Sequence, residues 1–174
     1  MKNAVVLVGH GGSPSDFPKD KLARLKRLES ERAARGQLEM GAEEKAIDDE
    51  IRSWPRTSKT DPYQAGLSSL ALKLEKALGQ KVAAAYNEFC GPDVETAVAA
   101  LVREGFERIV LATTMYTRGG IHSENEIPAL VRKLRERHPS VELVYAWPME
   151  ESLIVEFLAK VVASASTGSG ARSA

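Results

Sequence analysis

The chain has 174 residues, 24 basic and 24 acidic side chains, and no formal net charge. That balance argues against a nucleic-acid partner, which selects for a basic excess. No apolar run approaches the ~20 residues of a membrane span, and the single cysteine, Cys90, rules out an internal disulfide.

The chain begins with Met1-Lys2-Asn3 and an apolar run, Ala4–Val8, too short for the core of a signal peptide. The expectation is a cytoplasmic protein without membrane contact. Ala4–Val8 is a first strand, ending in Gly9-His10-Gly11-Gly12. Asp61-Pro62 then opens a helix, with aspartate as cap and proline at the first position. Leu67, Leu70, Leu74 and Leu78 run along it, and Gly79 closes it. Lys81–Tyr86 is a second strand. Asp93 caps a helix carrying Val94, Ala97, Val98 and Leu101 on one face. Arg108–Thr113 is a third strand, followed by Met115 to Pro128 and a helix with Ile127, Leu130, Val131 and Leu134. Val141–Ala146 is a fourth strand, and Ile154, Phe157, Leu158 and Val161 mark a last helix. Mostly apolar strands separated by amphipathic helices predict a four-stranded parallel sheet with helices on both faces, a flavodoxin-like three-layer α/β fold. One domain over residues 1–163 is expected, with a disordered Ser/Gly/Ala tail over 164–174.

One segment breaks the rhythm. From Lys19 to Arg52, 18 of 34 residues are charged, basic first and acidic later. Leu22, Leu25 and Leu28 form one stripe; Met40, Ile47, Ile51 and Trp54 form another. These predict a helical hairpin insertion over about residues 16–60, turning near Gly36, with opposite charges facing each other. It reads equally as a solvated appendage and as a lid or dimerisation arm beside the His10 loop.

Chemistry concentrates where strands end, because the carboxyl edge of a parallel sheet forms its binding crevice. His10 follows strand one and His122 follows strand three in Gly119-Gly120-Ile121-His122, at a helix start that favours neutral imidazole. Two such rings can make an open divalent-metal site. Glu88, after strand two, is a candidate proton acceptor or simply a solvent-facing residue. Cys90 before Gly91-Pro92 reads as packing. Ser123 and Glu126 have capping-box spacing, but Pro128 disturbs a regular helix start, so the helix begins irregularly or at Pro128. Glu124 and Glu126 suit either acid–base work or dipole compensation. His138 fits a helix C-terminus and is set aside. Trp147 either walls the crevice or fills core. The first loop is neither a dinucleotide fingerprint nor a P-loop, and no Gly-x-Ser-x-Gly elbow accompanies its Gly-His-Gly-Gly string.

Together, Val-Gly-His-Gly after strand one, Ala85-Tyr86-Asn87-Glu88-Phe89, Gly-Gly-(x)-His followed by Ile-Pro, and His138-Pro139-Ser140-Val141-Glu142 resemble the CbiX/SirB class II chelatases, the sirohydrochlorin cobaltochelatases and ferrochelatases. The resemblance spans residues 1–15 and about 63–160. It implies ATP-independent insertion of Co2+ or Fe2+, with Ni2+ a further candidate, into a sirohydrochlorin-like tetrapyrrole for cobalamin or sirohaem synthesis. No organic cofactor is implied. The family histidines fall on His10 and His122 as metal ligands and catalytic residues, and the acidic residue falls on Glu88. Glu126-Ile127-Pro128 takes the family's Asp-Ile-Pro position. Gly11, Gly12, Tyr116, Arg118 and Trp147 are candidates for holding the tetrapyrrole, Arg118 by its charge and the aromatics by their faces. Single-lobe members pair, which implies a homodimer. The extra Gly12 and the inserted Ile121 depart from the family pattern. Ile121 leaves room for a metal- or tetrapyrrole-binding protein without turnover, and the first loop alone for a phosphate or flavin binder.

Overall fold

Four short parallel strands carry the molecule: β1 (Asn3–Gly9), β2 (Lys81–Tyr86), β3 (Arg108–Thr113) and β4 (Glu142–Tyr145), in the order β2-β1-β3-β4. A computed structural model describes residues 1–37 and 39–166. Registry runs Val6 against Ala83 on one side and Leu111 on the other, and Ile109 against Leu143 at the β4 edge. β1 is central and buried along nearly its whole length, as its unbroken apolar run requires.

The helices are α1 (Lys19–Ala34), α2 (Ala42–Ser53), α3 (Pro62–Leu78), α4 (Val94–Arg103), α5 (Ile127–Arg137) and α6 (Glu151–Ser166). Local chemistry sets their ends. The Asp61 carboxylate accepts from the Gln64 amide to start α3, and Asp93 does the same for Thr96 and α4. Gly79 ends α3 in the left-handed conformation, φ 64°.

Alternate residues of β1 feed two cores. Ala4, Val6 and Val8 pack with Ile109 and Leu111 against α4 and α5, through Val98, Leu101, Val131 and Leu134. Val5 and Leu7 pack with Val82 and Tyr86 against Leu67 and Ala71 of α3. Helices therefore cover both faces, as the sequence pattern implies. α6 stands apart, with no buried residue. Its last residues, Ser164–Ser166, are helical where a disordered tail was expected to begin; residues 167–174 of that tail lie outside the described residues. Among the described residues no helix is long and apolar enough to cross a membrane.

The charged segment forms α1 and α2, closed at its base by the Ser15 amide donating to the Thr60 carbonyl, 2.8 Å. Lys21–Glu50, Arg24–Glu43 and Arg32–Glu44 pair across it. Phe17, Leu25 and Ile51 form its own buried core, joined by Leu22, Ile47, Trp54 and Phe89. Met40 takes no part in that stripe and is exposed.

Candidate functional site

Three loops meet at the carboxyl edge of the sheet. The loops after β1 and β2 are zipped together beyond the strands: the Asn87 amide donates to the Gly9 carbonyl at 2.9 Å and the Glu88 amide to the His10 carbonyl at 2.8 Å. This ladder requires the chain to turn sharply at Gly11, φ 100°, where a Cβ would collide with the Glu88 carbonyl oxygen. The third loop ends in a five-residue π-helical turn, His122–Glu126, running directly into α5. The helix begins irregularly, one of the two starts its sequence allowed, and the capping box that the Ser123–Glu126 spacing permits does not form. Ser123 Oγ instead donates to the Met115 carbonyl, and Tyr145 of β4 donates its hydroxyl to the Ser123 carbonyl. The wider turn is thus pinned at Ser123 by two tertiary bonds, a setting in which π-turns often mark functional sites.

His10, Glu88 and His122 converge. One ligand atom from each lies within 4.8 Å of the others. The rings of His10 and His122 meet edge to face at 4.8 Å, interplanar angle 83°. The Glu88 carboxylate lies between them, Oε2 at 3.8 Å from His10 Nε2 and Oε1 at 3.5 Å from His122 Nε2. Ile121, whose insertion was expected to threaten this placement, is 60% exposed, while the His122 ring faces inward at 18%.

The outer nitrogens of both rings are spoken for. His10 Nδ1 lies 3.0 Å from the Gly11 carbonyl, which only accepts, so that nitrogen carries the proton. His122 Nδ1 lies between an acceptor and a donor, 2.7 Å from Glu126 Oε2 and 2.8 Å from Asn87 Nδ2. The Asn87 amide also donates to the Glu126 carboxylate at 2.9 Å. In the tautomer that donates from Nδ1 to Glu126, the His122 Nε2 lone pair faces the centre beside that of His10, the arrangement by which protein carboxylates and carbonyls orient metal-binding imidazoles. Burial would raise the Glu126 carboxyl, but the hydrogen bonds from His122 and Asn87, with the charges of His122 and Arg32, outweigh it and hold the group below its ordinary range. The hairpin also reaches this field: burial, then the charges of Glu88, Glu44 and Asp48, raises the carboxyl of Glu29 on α1.

The other expected site residues lie around this centre in different ways. Gly11 shapes the first loop; Gly12 lies against Tyr63, whose hydroxyl accepts from the His10 amide at 2.8 Å. Tyr116 borders two open clefts, one of about 440 Å³ shared with His122 and Ser123, the other of about 610 Å³ shared with Arg118, Pro148, Ile154 and Leu158. Arg118 is paired with Glu124 at 3.3 Å but is 74% exposed, so the pair is weak and open to exchange. Trp147 stacks on Tyr145 at 6.3 Å and borders neither cleft. Cys90 is fully buried, its thiol pushed up to about 11 by burial.

Sequence reasoning left Asn87 and Tyr63 without a role. The His122–Glu126 spacing of four was legible as one helical face; Asn87 had only its position beside Glu88. Arg52 and Arg56 gave no signal for their part here, because the carbonyls of Asn87, Phe89 and Cys90 that they reach lie more than thirty residues along the chain.

The CbiX family model matches residues 56–165. No curated protein matches the sequence. The structure is similar to a putative cobalamin (vitamin B12) biosynthesis CbiX protein from Marinobacter aquaeolei VT8, with TM-score 0.55 and 16% identity over 95% of this chain and 98% of that one. It also aligns with the sirohydrochlorin chelatase SirB from Bacillus subtilis subspecies spizizenii in complex with cobalt, with TM-score 0.42 and 16% identity over 83% of this chain and 42% of that one. SirB from Bacillus subtilis with Fe3+ aligns with TM-score 0.43 and 19% identity, over 83% and 39% of the two chains. The chain thus spans about two fifths of the SirB chains, and the likeness to the Marinobacter protein is one of fold.

Proposed function

The chain belongs to the CbiX family, and from that premise we propose that it is a metal chelatase. Its substrates are a divalent ion, Co2+ or Fe2+ with Ni2+ as a further candidate, and a sirohydrochlorin-like tetrapyrrole, joined without ATP for cobalamin or sirohaem synthesis in the cytoplasm. The observation that carries this reading is the convergence of His10, Glu88 and His122 within 4.8 Å.

Those groups suit the chemistry. Imidazole binds cobalt, iron and nickel without strong selection among them. Three protein donors leave coordination positions for the nitrogens of a macrocycle. Insertion expels two pyrrole N–H protons as the cation enters. Glu88, between the rings, is the base for them, passing each to water in the open cleft. The cleft shared by His122 and Tyr116 offers an apolar wall for the macrocycle, and Arg118 a cation for its acidic side chains. The non-catalytic alternative keeps both histidines and lacks only turnover, so the assay below separates the two readings.

The same reading includes a homodimer. α6 has no buried residue, yet Leu153, Val155, Phe157 and Val162 are each 55–64% exposed. A second copy is the occupant its apolar surface fits.

The test is purified protein mixed with sirohydrochlorin and Co2+ or Fe2+, followed by the absorbance of the macrocycle. Turnover lost in both His10→Ala and His122→Ala supports the proposal. Stoichiometric metal uptake without turnover favours a binding protein. Turnover intact in both variants sinks the metal centre.

A further inference from the structure

The α1–α2 hairpin does more at the site than its surface position suggests. Two arginines at its exit grip the loop that carries Glu88. Arg52 donates from Nη2 to the Asn87 carbonyl and from Nη1 to the Cys90 carbonyl, both at 3.1 Å. Arg56 donates from Nη2 to the Phe89 carbonyl and from Nη1 to the carbonyls of Ile51 and Trp54. Each guanidinium is itself held by a carboxylate, Arg52 Nε by Asp48 and Arg56 Nε by Asp61, both at 2.7 Å. Arg56 and Asp61 form an interior ion pair, 4% and 2% exposed, and Arg52 and Asp48 a partly buried one, 18% and 10% exposed.

The grip has a geometric consequence. Phe89 lies at φ 56°, a left-handed conformation that a bulky residue adopts only when its surroundings impose it. That turn sends neighbouring side chains apart. Phe89 packs with the Phe17–Leu25–Ile51 core of the hairpin, while the Glu88 carboxylate stands between the two imidazoles. The Glu88 carbonyl accepts from the Cys90 amide at 2.6 Å. Every carbonyl from Asn87 to Cys90 is therefore engaged, three of them by arginines from the hairpin. A solvated appendage needs no buried arginines, since exposed charges contribute little.

We propose that the α1–α2 hairpin is the device that aims Glu88 at the metal centre, with Arg52 and Arg56 as positioning residues acting through the backbone of loop 87–90. This rests on the reading that His10, Glu88 and His122 bind a divalent cation. It assigns the charged insertion a part in the site rather than a role as lid or appendage. The planar fork of arginine fits two carbonyls at once, which a lysine ammonium does not.

The test is a double-mutant cycle on the whole protein, read by Co2+ titration and the visible absorption of bound Co2+. Arg52→Lys should weaken Co2+ binding about tenfold, the lower end of the loss seen when groups supporting metal ligands are removed, and should move the Co2+ spectrum toward that of Glu88→Gln. In the Glu88→Gln background the same substitution should change nothing, because the group it aims is gone. Should Arg52→Lys fold poorly, Asp48→Ala, which releases Arg52 Nε, carries the same cycle. Equal losses with Glu or Gln at position 88, or undiminished Co2+ binding by folded Arg52→Lys and Asp48→Ala, overturn the inference alone. Wild-type protein that takes up no Co2+ overturns the metal reading and this inference with it.

Discussion

Glu126 Oε2 stands 2.7 Å from His122 Nδ1, four residues earlier in the chain and on the same face of the π-helical turn. When Nδ1 donates to that carboxylate, Nε2 is left to offer its lone pair to a cation. Glu126→Ala should lower Co2+ affinity by about 10- to 100-fold while leaving the fold intact, since the carboxylate is half exposed. Glu126→Gln should lose less, because its amide oxygen still accepts from Nδ1. Isothermal titration with Co2+ checks both. Equal affinity in all three proteins would mean that His122 needs no orienting partner.

Arg56 and Asp61 form the most buried ion pair of the molecule's described residues. Arg56→Met leaves the buried Asp61 carboxylate without its cation, at a cost of about 3–5 kcal/mol. Adding Asp61→Asn should restore much of that loss, since Asn removes the charge and still caps α3 through Gln64. Urea unfolding of the two variants measures the difference. A double variant no more stable than Arg56→Met would show that hydrogen bonds to the loop carbonyls, rather than the charge on Asp61, carry the energy.

Cys90 supplies the pH prediction. Burial pushes its thiol up to about 11, with the Arg56 charge opposing it. At pH 8 only about one molecule in a thousand holds a thiolate. Iodoacetamide should therefore leave the native protein nearly unlabelled and label it rapidly in urea. The folded state keeps the proton more tightly than the unfolded one, so this stabilisation is complete below about 9 and is lost as pH rises toward about 11. A urea midpoint that falls over that interval in wild type and is flatter in Cys90→Ala is the expected result.

The parts of the fold that were legible in the sequence are those set by local rules. Strand runs, the Asp61 and Asp93 caps and the Gly79 stop all act within a few residues. The facing of basic α1 against acidic α2 follows from charge order alone. That His10, Glu88 and His122 share one edge follows from where parallel strands end. What stayed hidden depends on contacts distant in sequence. Ser123 and Glu126 have the spacing of a capping box, but Met115 and Tyr145 hold Ser123 and Asn87 draws Glu126 away. Arg52 and Arg56 looked like ordinary members of a charge run, since nothing in the sequence says which carbonyls they reach. Trp147 finds Tyr145 rather than a cleft.

α6 has the pattern of a helix covered on most of its circumference. Glu156, Lys160 and Ser164 make one polar strip at spacing four, and Ile154, Phe157, Leu158, Val161 and Val162 occupy the remainder. A lone surface helix carries a narrower apolar stripe. α3 adds Leu70, Leu72 and Leu78, which are 48–63% exposed, and Val110 and Val144 remain only partly covered on the sheet. Such surfaces together can supply the roughly 800 Å² per partner of a stable interface. The chain should therefore run in light scattering at twice its 18.9 kDa. Phe157→Asp combined with Val161→Glu should shift it to the mass of one chain without changing the Co2+ affinity of His10 and His122. A wild-type monomer at micromolar concentration, with α6 resistant to protease, would instead mean that α6 folds back on its own sheet and that the pairing is absent.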